Sequence, residues 1–406
     1  MAEALKGLRI VEAAAFIAAP LAGLQLAQMG AEVIRIDPIG GALDQGRWPI
    51  TKDGRSHYWA GLNKGKRSVL IDTRKSEGQE LATQIITASG DDSGILLTNL
   101  QAKGWLGFEA LKKHRRDLIM MHIVGNRDGS VALDYTVNAA AGFPFVTGPE
   151  NHEGPVNHVL PVWDIVAAFA AVNGLLMAER HRLKTGEGQY VREALSDTAL
   201  SMLSHLGIIS EVQVNKDERP RLGNHVYGSF AHDFATKDQR RVMVTAFTPR
   251  HWQALVAATE TQADIKILED AEGIDLNREE DRFTARKKIE TILAPKFAAM
   301  SFQAACRDLE KAGACWGPYQ TFTQAIEEDK RVSPDNPMFS MVDQPGIGSI
   351  LSAGALADFS AWPRSPATPA PTFGQDTEAV LMDVVGLSSA DVGRLFDAKI
   401  VAGTQK

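Results

Sequence analysis

A chain of 406 residues, 44% of them apolar, holds enough hydrophobic material for a large core and, at roughly 150 residues per domain, for about two or three domains. Its net charge of -7 argues against a general nucleic-acid or acidic-membrane surface and confines any phosphate site to local basic clusters. Cys306 and Cys315 fit neither a metal pair nor a disulfide framework, the start Met1-Ala-Glu-Ala-Leu-Lys6 lacks the order of a signal peptide, and no uninterrupted apolar run of membrane-spanning length is expected. The composition thus points to a cytoplasmic protein with reduced thiols.

The apolar run Leu8 to Glu12, the helically spaced stretch Ala18 to Met29 and the alternating stretch Ala31 to Asp37 read as a βαβ opening. Strand-like runs follow at Ser68 to Asp72, Gly94 to Thr98 and Leu118 to Ile123, with a helix over Gly78 to Ala88, so a mostly parallel, doubly wound sheet is expected. A long helix is predicted from Ile165 to Arg182, its basic last turn suiting the negative end of the helix dipole. A turn at Lys184-Thr-Gly-Glu-Gly-Gln189 leads to a strand over Val191 to Ala194 and a helix over Ser196 to Ile209. Polar residues from Gln213 to Arg221 mark an exit, placing boundaries near 215 and 335 around a smaller mixed α/β unit. That unit reads as a strand at Arg241 to Ala246 with helices near Trp252 to Thr259, Asp281 to Ala294 and Phe302 to Ala312. Beyond it come a proline-rich crossing from Pro363 to Pro371 and a last helix from Asp376 to Val385.

The first βα turn, Ala13-Ala-Ala-Phe-Ile-Ala-Ala-Pro20, lacks the glycines that admit a pyrophosphate, which disfavours nicotinamide or flavin binding. Asn63-Lys-Gly-Lys-Arg-Ser68 reads either as a grip for phosphates or as a solvated loop; it is not a Walker loop. Asp164 opens an apolar helix, so it reads first as an N-cap. A nucleophilic role is compatible with that, because the positive helix end would hold the carboxylate ionised. There is no Gly-x-Ser-x-Gly elbow and no His-Glu-x-x-His, so neither a serine hydrolase nor a metal centre is expected.

Several segments together resemble the class III coenzyme A transferases: Gly7 to Glu12, Gly30 to Pro38, Leu62 to Ser68, Asp164 with its helix, Lys184 to Gln189 and Phe373 to Thr377. Within that family, Arg47-Trp-Pro49, Tyr58 to Ser68, Val156 to Asp164 and Arg219 to Asn224 look most similar to the branch that moves CoA between the two carboxyls of mesaconate. The resemblance implies a Rossmann-like large domain built from 1–215 and 336–406, a small domain of 216–335 carrying a lid, and an interlocked homodimer. It makes Asp164 the catalytic aspartate and places Arg35, Leu62, Lys66, Arg67, Asn99 and Lys103 in segments that hold CoA, which enters as part of the substrate with no tightly bound cofactor. Arg47 and Arg221 are candidates for pairing with a distal carboxylate, because a guanidinium can do so bidentately. His225 and Tyr227 stand where related transferases carry a glycine-rich lid. Leu133 stands where related racemases carry a histidine, which disfavours racemisation. Two other readings remain: transfer of CoA from a donor such as succinyl-CoA to a free dicarboxylic acid, and a silent CoA-binding scaffold.

Overall fold

The computed structural model of the protein describes residues 4–404, so the tripeptide Met1-Ala2-Glu3 read above for signal content lies outside the described residues. The described residues divide into two compact units, one of 4–141, 159–207 and 330–404, the other of 142–158 and 208–329. The sequence placed these crossings at 215 and 335, and it gave no sign that 142–158 belongs with the second unit.

The first unit opens with β1 (Arg9–Ala13), α1 (Ala18–Gln28), β2 (Glu32–Asp37), α2 (His57–Leu62), β3 (Arg67–Ile71), α3 (Ser76–Ile86), β4 (Ile95–Thr98), α4 (Phe108–Lys112) and β5 (Ile119–Val124). After α5 (Asp134–Ala140) the chain leaves through α6 (Phe143–Val146) and returns as α7 (Val162–Thr185), β6 (Tyr190–Ala194) and α8 (Leu195–His205). β1 to β6 are parallel, in the order β3-β2-β1-β4-β5-β6, with Arg9 opposite Glu32 and Ile10 opposite Ile95. Most of these strands are buried on both faces, which is why they read as continuous apolar runs and not as alternation.

By length and composition alone α7 could cross a bilayer, although Asp164 and Asn173 interrupt its apolar run. One face of it packs within the first unit. Ala167, Ala168, Ala171 and Leu175 are buried and pack α7 onto α1 and β5. The small side chains of Ala167, Ala168 and Ala171 suit close packing of α7 on α1, where Ala19 and Ala22 are also buried, and Gly186, at φ 72, ends the helix in the left-handed conformation that favours glycine.

The second unit holds α9 (Ile208–Asn215) and an antiparallel sheet of β7 (Phe230–Ala235), β8 (Arg241–Ala246) and a third strand reached through α10 (Pro249–Ala258), α11 (Gln262–Glu272), α12 (Glu279–Thr284), α13 (Arg286–Ala299) and α14 (Phe302–Ala312). That strand is β9 (Cys315–Tyr319), followed by α15 (Phe322–Glu328). Phe230, Phe234, Val244, Trp252, Phe297 and Leu309 form its core. The single helix expected over Asp281 to Ala294 is two, broken at Ala285.

The chain then rejoins the first unit as a hairpin, β10 (Phe339–Gln344) and β11 (Gly348–Ala353), followed by α16 (Thr377–Asp383), α17 (Ser389–Asp397) and β12 (Val401–Ala402). β12 pairs antiparallel with β3 and extends the sheet to seven strands. Val380, Leu381, Val392 and Val401 close the core over Ile71, Leu81 and Ile85. The elements expected from the sequence end with α16; α17 and β12 are additional to them.

Candidate active site

In an open parallel sheet, ligands settle outside the carboxyl ends of the strands where the strand order reverses. Here that point lies between β1, whose chain continues toward β2 and β3, and β4, which leads to β5 and β6. A cavity of about 480 Å³ opens there, lined among others by Phe16, Arg47, Asn99, Lys103, Tyr135 and Asp164.

Asp164 is the third residue of α7, not its cap. The orphan N–H groups of Trp163 and Asp164 donate instead to Oδ2 of Asp134, the first residue of α5, at 2.7 and 3.2 Å. Asn138, one turn further along α5, accepts from the Trp163 indole at 3.1 Å. Because another carboxylate caps the helix, the Asp164 carboxylate has no hydrogen bond or ion pair among the described residues and is left to the cavity.

Burial first, and the Asp134 carboxylate second, push the Asp164 pKa up to about 6, with the Arg47 guanidinium opposing. The expectation that the helix end would simply hold Asp164 ionised is therefore corrected in direction. At pH 7 the group is still mostly ionised, and its higher basicity makes it a better nucleophile than an ordinary aspartate. Replacing Asp134 by Asn, which removes the neighbouring charge and keeps a cap acceptor, should move the acid limb of the pH-rate profile below 6. Replacing it by Ala should in addition cost about 1 kcal/mol of stability, read in a denaturant titration.

The residues expected to hold CoA separate into three groups. Asn99 and Lys103 line the cavity, Lys103 exposed and Asn99 clamped by two bonds to Ala15, 2.9 Å to its N–H and 2.7 Å to its carbonyl. Arg35 and Lys66 are buried and committed to protein partners. Arg35 reaches Glu12, Asp37, Asp44, Asn63 and the Ala14 carbonyl at 2.9 to 3.2 Å, and Lys66 Nζ lies 2.8 Å from both Glu12 and the Pro20 carbonyl. This cluster needs Gly23, since a Cβ there would meet Glu12 at 1.9 Å. Leu62 ends α2, half-buried, and Arg67 starts β3, paired with Glu32 at the strand end opposite the cavity.

The cluster also shapes the site. Asp44, held by Arg35, accepts from the N–H of Phe16 at 3.0 Å, pinning that residue at φ 64 on the cavity wall. The Arg47 guanidinium stacks over Phe16 at 5.1 Å and over Tyr58 at 4.6 Å. On the other wall, His122 Nε2 faces the Leu100 carbonyl at 2.9 Å and so carries the proton, which leaves Nδ1 to accept from Tyr190 Oη at 2.7 Å. Asp44 and the His122–Tyr190 pair carry no motif in the sequence, while Tyr58 and Asp134 belong to segments that enter only through the family resemblance, with no role attached to either.

Arg221, His225 and Tyr227 belong to the second unit. Arg221 donates to the carbonyls of His152 and, at 2.5 Å, Gly154, holding the 142–158 segment, while Tyr227 Oη donates to Glu211 at 2.8 Å. His225 and His232 stack at 4.1 Å and share the Glu290 carboxylate, with Nε2 to oxygen distances of 3.2 and 3.4 Å. Three potential metal ligands thus meet where the sequence showed no cluster. The two rings are near-parallel, His225 Nε2 is within hydrogen-bond distance of Glu290, and Lys287 Nζ sits 3.6 Å from the same carboxylate.

The sequence profile described as CoA-transferase family III matches residues 5–377. A 2-methylfumaryl-CoA isomerase of Chloroflexus aurantiacus is 52% identical to this chain over 99% of it and 98% of its own length. A succinyl-CoA:mesaconate CoA-transferase of Haloarcula hispanica is 28% identical over 95% of the chain and 97% of its own. A crystal structure of a CAIB/BAIF family protein from Brucella suis superposes with a TM-score of 0.76 at 20% identity, covering 95% of this chain and all of that one, which shows a shared fold. With a family match across most of its length, a near relative of the same span and this common fold, the chain belongs to CoA-transferase family III.

Proposed function

We propose that this protein is a 2-methylfumaryl-CoA isomerase that moves CoA from one carboxyl of mesaconate to the other through Asp164. The observation that carries the reading is the Asp164 carboxylate, unpaired, raised in basicity and facing a cavity at the carboxyl end of the sheet. The 52% identical relative bears that name.

In this mechanism an Asp164 oxygen attacks the thioester carbonyl, the C–S bond breaks, and a mixed anhydride and CoA thiolate result. The thiolate attacks the aspartyl carbonyl, releasing the dicarboxylate with one aspartyl oxygen and leaving an aspartyl-CoA thioester. The other carboxylate of the retained acid then attacks that thioester, and the thiolate returns to the new acyl carbon, regenerating the Asp164 carboxylate. Retention makes the second attack intramolecular, an advantage of up to about 7 to 11 kcal/mol.

Asn99 and Lys103 are proposed to contact CoA on the cavity wall, with Leu62 on a flanking segment and Arg35 and Lys66 as the frame beneath, while Arg67, at the far end of β3, is left to Glu32. Arg47 is proposed for the distal carboxylate. Arg221, His225 and Tyr227 supply the bulk of the lid region in the small unit. An interlocked cytoplasmic homodimer is part of the reading, supported by exposed apolar side chains along α7 and α8, among them Phe169, Met177, Leu183 and Leu200.

The second reading, transfer between separate acids, is favoured by the name of the 28% identical relative. Mesaconyl-CoA incubated with labelled free mesaconate distinguishes them. Interconversion of the two regioisomers without uptake of label is expected; rapid uptake would favour intermolecular transfer, and CoA binding with no acyl movement would leave only a scaffold.

A further inference from the structure

Two donors beside Asp164 have no acceptor. The Tyr58 hydroxyl is buried and has no hydrogen-bond partner among the described residues. The Arg47 guanidinium over its ring has no hydrogen bond or ion pair among them either, although it lines the cavity. A buried phenol left without an acceptor is rare in folded proteins, because it gives up water for nothing in return, and the half-buried Arg47 guanidinium beside it is free to take an anion from the cavity.

The pair is also held rigidly. Ser56 Oγ donates to the Arg47 carbonyl at 2.6 Å and accepts from Trp59 N at 3.1 Å as the N-cap of α2, so one hydroxyl ties the Arg47 backbone to the helix start that carries Tyr58. His57 N donates to the Pro49 carbonyl at 2.9 Å, and Arg47 N to the Asp44 carbonyl at 3.3 Å. Stacking on Phe16 and Tyr58 fixes the plane of the guanidinium. Burial, helped by the negative charges of Asp44 and Asp164 against that of Arg47, pushes the Tyr58 pKa up, so the hydroxyl keeps its proton and donates.

We propose that the Tyr58 hydroxyl and the Arg47 guanidinium together bind the carboxylate of the acyl group that does not carry CoA, making Tyr58 a specificity-determining residue for dicarboxylic acyl groups. This rests on the reading of Asp164 as the residue that takes CoA, and adds how the site tells a dicarboxylic from a monocarboxylic thioester. A guanidinium on the cavity wall and the phenol stacked against it offer one donor for each oxygen of a carboxylate. A monocarboxylic acyl group would bury both donors unpaired, and such sites discriminate strongly against the analogue lacking the matching group.

The test is Tyr58→Phe, which removes the oxygen and keeps the ring under Arg47. Dissociation constants for succinyl-CoA and butyryl-CoA, thioesters of equal length that differ in the terminal carboxylate, are measured in an Asp164→Asn background where no acyl transfer competes. Tyr58→Phe should weaken succinyl-CoA by about tenfold or more and leave butyryl-CoA unchanged. Equal weakening of both, as a structural role would give, or no change in either, overturns the proposal. Mesaconyl-CoA turnover by the otherwise unaltered protein reports separately on the proposed function. Failure there leaves the binding ratio to decide Tyr58, and success with an unchanged ratio removes Tyr58 alone.

Discussion

Asp164→Ala should lose isomerisation of mesaconyl-CoA by about 10⁴-fold or more, as expected when a covalent nucleophile is removed, while still binding the thioester. Hydroxylamine should release CoA from the native protein during turnover and none from the variant. The pH dependence adds a second arm. With the Asp164 pKa at about 6, kcat/KM should fall tenfold per pH unit below that value, where an aspartate at the ordinary 3.8 would show no such limb above pH 5. The same shift carries a stability cost. A carboxyl whose folded pKa lies above its unfolded value favours the fold below pH 3.8 and loses that contribution as pH rises through 6. Asp164→Asn should therefore be more stable than the native protein above pH 6, by roughly 1 to 3 kcal/mol after allowance for its partial exposure, and the gap should close toward pH 4. A native protein equal to its Asn variant at every pH would mean that Asp164 is not held in this unfavourable setting.

Arg35→Met should cost about 3 to 5 kcal/mol of stability, because it leaves a buried cluster of carboxylates short of its central cation. Glu12, Asp37 and Asp44 surround Arg35, and only Lys66, on Glu12, stays nearby. Burial already pushes the Glu12 and Asp37 pKa values up. Without Arg35 they rise further, so the deficit should be largest at neutral to alkaline pH and shrink on acidification. Denaturant titrations at pH 8 and pH 5 read the difference. Activity should fall beyond what stability explains, since Asp44 then no longer pins Phe16 beneath Arg47. Full stability and activity would show that the cluster is dispensable, and a selective loss of CoA affinity in a stable protein would return Arg35 to a direct role in binding.

The central sheet was legible because its strands are buried on both faces and appear as apolar runs between helically spaced segments, from Ile10 in β1 to Ile123 in β5. The C-terminal closure was not. α17 carries a helical signal, with Val392, Leu395 and Phe396 on one face behind a Ser388 cap, but it is only nine residues long and follows α16 closely; β12 is two residues long and has no period to detect. The segment 142–158 joins the second unit through the hold of Arg221 on its carbonyls, a long-range contact that local pattern cannot carry.

At the site, Asp164 stood out through its helix and the family resemblance, but its role as a cap was misread. The cap comes from Asp134, thirty residues earlier in the chain, and a side chain that reaches another helix leaves no mark in its neighbours. For the same reason the loop holding Lys66 reads as a phosphate grip, and the resemblance sets Arg35 in a CoA-holding segment: a basic residue near a strand end is ambiguous until its buried acidic partners are seen.

The most direct measurement follows heavy oxygen. Mesaconyl-CoA labelled with oxygen-18 in its free carboxylate is turned over by the native protein, and the peptide containing Asp164 is then weighed. Attack of that carboxylate on an aspartyl thioester must leave one of its oxygens on Asp164, so the peptide should gain one heavy oxygen in a single turnover and up to two over several, located on that residue by fragmentation. Complete interconversion of the two regioisomers with an Asp164 peptide of unchanged mass would contradict the mechanism outright.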